Sequence, residues 1–205
     1  MASPIDGQDL KIIFAMDFQT IWQRAKHGSV SEQETRAAEA ALRSEDMPDR
    51  HVPILIVGLM RKPDPSRIAL VDAFLRSGKV DAERYSALRV LCSYWGLWDK
   101  YLDYLLAKIA PEEFDRDPAV SDEAFSLLGD YLFQHSDQAA WRRLVFVYDV
   151  AVSEGRDDLA KQAYGTMVDG LQGKKETLLQ GKPKDTSPGA AQIVAAARSK
   201  AGPAS

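Results

Sequence analysis

The chain has 205 residues, 26 of them basic and 30 acidic, for a formal net charge of −4, with 45% hydrophobic and 27% charged residues. That balance supports one core domain or two small ones and excludes a collagen, a coiled-coil rod and a fully disordered chain. Charge is uneven: residues 171–205 hold six basic and two acidic residues (+4), and residues 1–170 hold 20 and 28 (−8), an acidic body with a basic tail that touches nucleic acid, folds back on the body or is merely solvated.

Residues 1–8 read as an unstructured lead-in. From Asp9, Leu10, Ile13, Phe14, Phe18, Ile21, Trp22 and Ala25 follow the three-and-four spacing of one helix face, predicting a helix to Lys26 with Gly28 as its left-handed stop. Ser31 and Glu34 form a capping box at the head of an alanine-rich helix reaching Arg43. Ser44 to Arg50 is a turn. Val52 to Met60 has the composition of a buried strand or a buried helix; Pro53 suits a first helical turn and no second strand candidate is present, so helix is the reading. Asp64 and Pro65 then start a helix that Gly78 stops.

Asp81 opens a helix through Leu88, Val90, Leu91 and Tyr94, broken at Gly96, and another runs from Leu97 to Ile109 before Pro111. Glu112 to Asp115 gives one extra turn. Pro118 or Ser121 starts the next helix, through Leu132. Trp141 to Val152 marks a helix ending at Gly155, and Leu159 to Val168 another ending near Gly170. Residues 181–189 have almost no apolar content and read as disordered; Ala190 to Arg198 can form an alanine-rich helix, marginal in water as an isolated segment and able to order on a partner. The expectation is therefore an all-α fold of about nine helices over residues 9–172, arranged as stacked antiparallel hairpins in an open solenoid or a closed bundle, with a flexible basic tail over 173–205.

Internal repetition supports hairpins. Gly28-Ser29-Val30-Ser31 and Gly78-Lys79-Val80-Asp81 share a Gly-x-Val-(Ser/Asp) entry into a helix, fifty residues apart. The run Ser153 to Tyr164 resembles the turn and second helix of a tetratricopeptide repeat, with Ala160 and Tyr164 at its small and aromatic positions, although Tyr148 stands where that family has a glycine. HEAT-type hairpins fit the middle of the chain equally well. The resemblance covers about 34 of the 205 residues and implies an α-solenoid-like interaction scaffold.

Residues with chemistry are scattered. His27, His51 and His135 lie 24 and 84 residues apart, without metal-ligand spacing. The pairs Glu32/Glu34, Glu112/Glu113 and Asp157/Asp158 each fall at a helix start, where they complement the helix dipole. The sequence contains no phosphate loop, no Gly-x-Ser-x-Gly and no His-Glu-x-x-His. Cys92, the single cysteine, sits in an apolar stretch and reads as core; it permits no intrachain disulfide and points to a reducing cytoplasm. The acidic opening Met1 to Asp9 does not resemble a signal peptide, and Val52 to Met60 is about half of the roughly 20 residues that cross a bilayer. A cytoplasmic protein without membrane contact is expected.

Tyr94, Trp95, Trp98, Tyr101 and Tyr104 put five of the chain's 18 aromatics into eleven residues. Such residues build interface hot spots, stack on unpaired bases, or fill a core. As partner-binding candidates the sequence offers Tyr94, Trp98, Tyr101, Tyr104, Arg142 and Arg143, with Lys174, Lys175, Lys182 and Lys184 as tail contacts; no catalytic, cofactor or metal residue is assigned. The leading expectation is a non-enzymatic module that presents a helical surface to a basic protein partner, as an adaptor, a chaperone or an immunity-type inhibitor, with self-association left open. An RNA-binding protein of nucleocapsid type is the alternative, and a helical enzyme with dispersed catalytic residues ranks last.

Overall fold

The computed structural model describes residues 16–77, 81–173 and 188–203. Among them there are eleven α-helices and one π-helical turn, and no strand. None of these helices is long and apolar enough to cross a membrane. The chain divides into two compact units, one ending at Leu97 and the other starting at Trp98.

In the first unit, α1 (Phe18–Ala25) begins where Asp17 accepts hydrogen bonds from the Thr20 N–H (3.1 Å) and hydroxyl (2.6 Å). The predicted helix start at Asp9 lies outside the described residues. Gly28 follows with φ +67°, as a left-handed stop requires. The capping box opens α2 (Glu32–Arg43): the Glu34 N–H donates to Ser31 Oγ (3.2 Å) and the Ser31 N–H to Glu34 Oε2 (2.9 Å). Ala37, Ala38, Ala41 and Leu42 form its buried face.

The ambiguous run is α3 (His51–Met60), buried continuously from Val52 to Gly58. Pro53 stands in its first turn, where no intrahelical N–H is lost. α4 (Pro65–Ser77) starts after Asp64, whose carboxylate accepts the Arg67 N–H at 2.9 Å. The helix predicted from Asp81 to Tyr94 divides: α5 (Asp81–Arg89) widens into a π-helical turn over Val90–Tyr94. There Trp95 N–H bonds to Val90 C=O at 2.9 Å, and Gly96 reverses the chain with φ +66°. The turn buries Val90, Leu91 and Cys92 in succession. It presses against Gly58 of α3, where a Cβ would lie 2.4 Å from a Val90 methyl.

The second unit runs through α6 (Trp98–Lys108), the short α7 (Pro111–Arg116), α8 (Pro118–Gln134), α9 (Gln138–Ser153), α10 (Asp157–Gln172) and α11 (Pro188–Ala201). Of the two starts weighed for α8, Pro118 is the observed one; Ser121 instead donates to Lys108 C=O (2.7 Å), tying α8 to the end of α6. Phe125, Leu128, Trp141, Leu144 and Met167 fill the core. Gly170, read as the stop of α10, lies inside it, because Trp141 and Leu132 pack against its backbone. The stop is Gly173, with φ +75°.

The largest departure is at the C-terminal end. Residues 188–201, expected as part of a flexible tail, form α11 and pack on α9 and α10. Contacts with the folded body supply what an isolated segment of this length lacks. The remainder of the predicted tail, 174–187, lies outside the described residues.

Candidate functional site

The predicted aromatic cluster straddles the boundary between the units. Tyr94 ends the π-helical turn, half-buried, and Trp95 donates its indole N–H to Arg61 C=O at 3.0 Å, both in the first unit. Trp98, Tyr101 and Tyr104 belong to the second. Trp98 (8% exposed) and Tyr101 (5%) are core side chains there, and Tyr104 is half-buried beneath the Lys108 ammonium, 5.7 Å from the ring centre. Trp98 packs on Tyr131 (5.8 Å between ring centres), and Tyr131 stacks on His135 (4.6 Å). The Tyr131 hydroxyl donates to Asp137 at 2.9 Å. Burial first, then this bond to a carboxylate, pushes the phenol up to about 12.

The two arginines serve the fold directly. Arg143 donates to Leu106 C=O (3.4 Å), and its guanidinium lies 5.6 Å from the centre of the exposed Phe146 ring. Arg142 donates to Gln138 Oε1 and, through Nε, to Ala201 C=O, each at 2.8 Å. Lys174, Lys175, Lys182 and Lys184 lie outside the described residues.

Arg142 therefore marks a feature that the sequence reading did not assign, the seat of α11. Arg198 meets Asp149 at 2.7 Å, Ala201 meets Arg142, and Gly202 lies so close to Gln138 that a Cβ there would come within 2.2 Å of its amide. These contacts lay α11 along the 138–142–145–149 stripe of α9, in the opposite direction. The buried face of α11 is Ala190, Ala197 and Ala201, with Ile193 and Val194 half-buried between them. That spacing is the pattern of an amphipathic helix, and it is the signal in the sequence that α11 has an apolar face to bury, though not of the surface that receives it.

The first unit carries an open groove of about 590 Å³. Leu42, Leu70, Ala73 and Phe74 give it an apolar floor; Arg43, Glu45, Arg50 and Ser77 give it a polar rim. Arg50 is held from behind. Its Nε and backbone N–H donate to Glu83 Oε1 (2.8 and 3.2 Å), while its guanidinium lies 4.9 Å from the Phe74 ring centre. Glu83 is wholly buried, so this pair keeps a carboxylate in the core by matching it with a charge.

Arg61, at the C-terminal end of α3, clamps α2 to α3. It bonds both Glu32 oxygens at 2.9 Å and Glu39 at 3.2 Å, while Arg67 reaches Glu39 at 2.7 Å. The hydrogen bonds from Arg61, and next from Arg36, pull Glu32 down to about 2. Glu34 falls to about 2 through the Ser31 N–H first and Arg24 second. Two of the histidines serve local structure, Nδ1 of His51 sitting 2.6 Å from Asp49 and His135 covering Tyr131, while His27 is exposed after the end of α1. Among the described residues no three His, Cys, Asp or Glu side chains gather in a metal-binding group. Compared with protein-family models, curated proteins and solved structures, the chain matches none of them.

Proposed function

We propose that this chain is a non-enzymatic protein–protein interaction module, built from stacked helical hairpins of tetratricopeptide or HEAT kind, that presents a helical surface to a protein partner of basic character. Adaptor, chaperone and immunity-type inhibitor are the roles that such a surface serves. The observation that supports this reading is the seat on α9: an acidic helical body holds the basic helix α11 of the same chain through small apolar contacts, an arginine–carboxylate pair and a bonded helix end. Partner surfaces with apolar anchors inside a polar rim work on the same terms.

Capture tests it. Full chain is immobilised, exposed to lysate and eluted by raising salt from about 0.1 to about 1 M, which shortens the screening length from about 10 to about 3 Å. The expected eluate is a protein of basic surface at defined stoichiometry. An eluate of nucleic acid, seen as ultraviolet absorbance typical of bases, overturns the reading in favour of RNA binding.

A further inference from the structure

We infer that α11 is an exchangeable element: the seat on α9 and α10 takes the α11 of a second copy of this chain, and the intramolecular α11 is the competitor that keeps that exchange in check. The inference rests on the reading of the chain as an interaction module and names a partner for it.

Direction and reach carry the argument. α9 and α10 form an antiparallel hairpin through residues 154–156, and Gly170 of α10 lies against Trp141 near the start of α9. Since α11 runs opposite to α9, it runs parallel to α10, and its first residue lies at the end of α10 opposite Gly173. Pro188 therefore lies about the length of a helix from Gly173, about 21 Å for the fourteen residues of α11. Extended, the fifteen steps between them reach about 50 Å. The connection is more than long enough to close within one molecule, and long enough to carry a released α11 to a neighbour.

Release costs little. The buried face of α11 is alanine, and its ion pair, Arg198 with Asp149, is exposed on both sides, a kind of pair that holds weakly. The seat also selects. Asp149 answers Arg198, Arg142 bonds the Ala201 carbonyl at the end of α11, and the φ of +71° at Gly202 beside Gln138 favours glycine there. A second copy supplies all of these features at once. Reciprocal exchange closes a two-fold dimer without any new contact.

Two full-length variants test this. Ala197→Glu spoils α11 and leaves the seat vacant. Arg142→Glu with Asp149→Lys, both exposed positions, spoils the seat and leaves α11 intact. Each alone is expected to sediment as a monomer. Mixed, they are expected to form a 1:1 heterodimer at a concentration at least about tenfold below that at which the wild type dimerises, because neither retains its internal competitor. A mixture that stays monomeric, or a variant that dimerises alone as readily as the mixture, overturns the inference. Circular dichroism verifies the fold of each variant. Should either lose helicity, the wild type decides: α11 amides exchanging at least about tenfold faster than those of α9, with mass rising with concentration, uphold exchange, and equal protection or constant mass overturns it. Only the pure chain is used, so this failure is distinct from a failure to capture a basic partner.

Discussion

Gly170 and Glu83 have no outward sign of importance in the sequence, and each holds its unit together by what surrounds it. A Cβ at Gly170 would meet Trp141 at 2.9 Å and the Leu132 Cβ at 3.0 Å. Trp141 is itself enclosed, so Gly170→Ala is expected to destabilise the second unit by about 1–3 kcal/mol through overpacking, measured by urea unfolding. The helix preference of alanine opposes this by about 1 kcal/mol, so a stabilised variant would mean that the indole can shift aside. Glu83→Ala is expected to cost about 3 kcal/mol, the low end for breaking a buried ion pair, because the groove admits water to Arg50. Glu83→Gln, which keeps an acceptor for the Arg50 N–H groups, should cost less, and equal losses in the two variants would locate the effect in packing. Neither role was legible. A glycine near a helix end reads as punctuation, and an acid in a first turn reads as a dipole partner; burial is decided by segments far away in the chain.

Elements were legible where their causes are local. The capping box at Ser31, the stop at Gly28 and the start at Pro65 each follow from a few neighbouring residues, and α2 and α4 appear where those signals put them. The π-helical turn needed knowledge of Gly58, thirty-two residues before Val90, and α11 needed its seat. Of the candidate site, Arg142 was named from its position beside Trp141, but its bond to Ala201 joins residues fifty-nine apart. The clamp on α2 has a pH signature. Folding lowers Glu32 and Glu34 from about 4.5 to about 2, so both contribute stability above pH 4.5 and lose it as pH falls toward 2. Melting temperature is therefore expected to drop over this range in the wild type and to drop less in Glu32→Gln/Glu34→Gln. Parallel curves for the two proteins would remove these carboxylates from the explanation of acid sensitivity.

For the whole molecule the telling quantity is where charge resides. Residues 1–97 carry thirteen basic and thirteen acidic side chains, while residues 98–170 carry seven and fifteen, and between Arg116 and Arg142 there is no lysine or arginine at all. The acidity noticed in the sequence thus belongs to the second unit, and the basic helix that covers part of it is the chain's own. Attraction of this kind acts on encounter more than on the final grip. Asp157→Lys with Asp158→Lys, exposed at the start of α10, is expected to slow association with a captured basic partner about tenfold at low salt and to change dissociation little. A change confined to dissociation would place both residues inside the interface.

The seat of α11 also has a history during synthesis. Some thirty residues separate the end of α10 from Gly202, so at about 5–20 residues per second the ribosome takes about 2–6 s to supply them. For that interval α9 and α10 are made and their own cover is not. A chain cut short in that interval carries the face on which α11 packs without its cover.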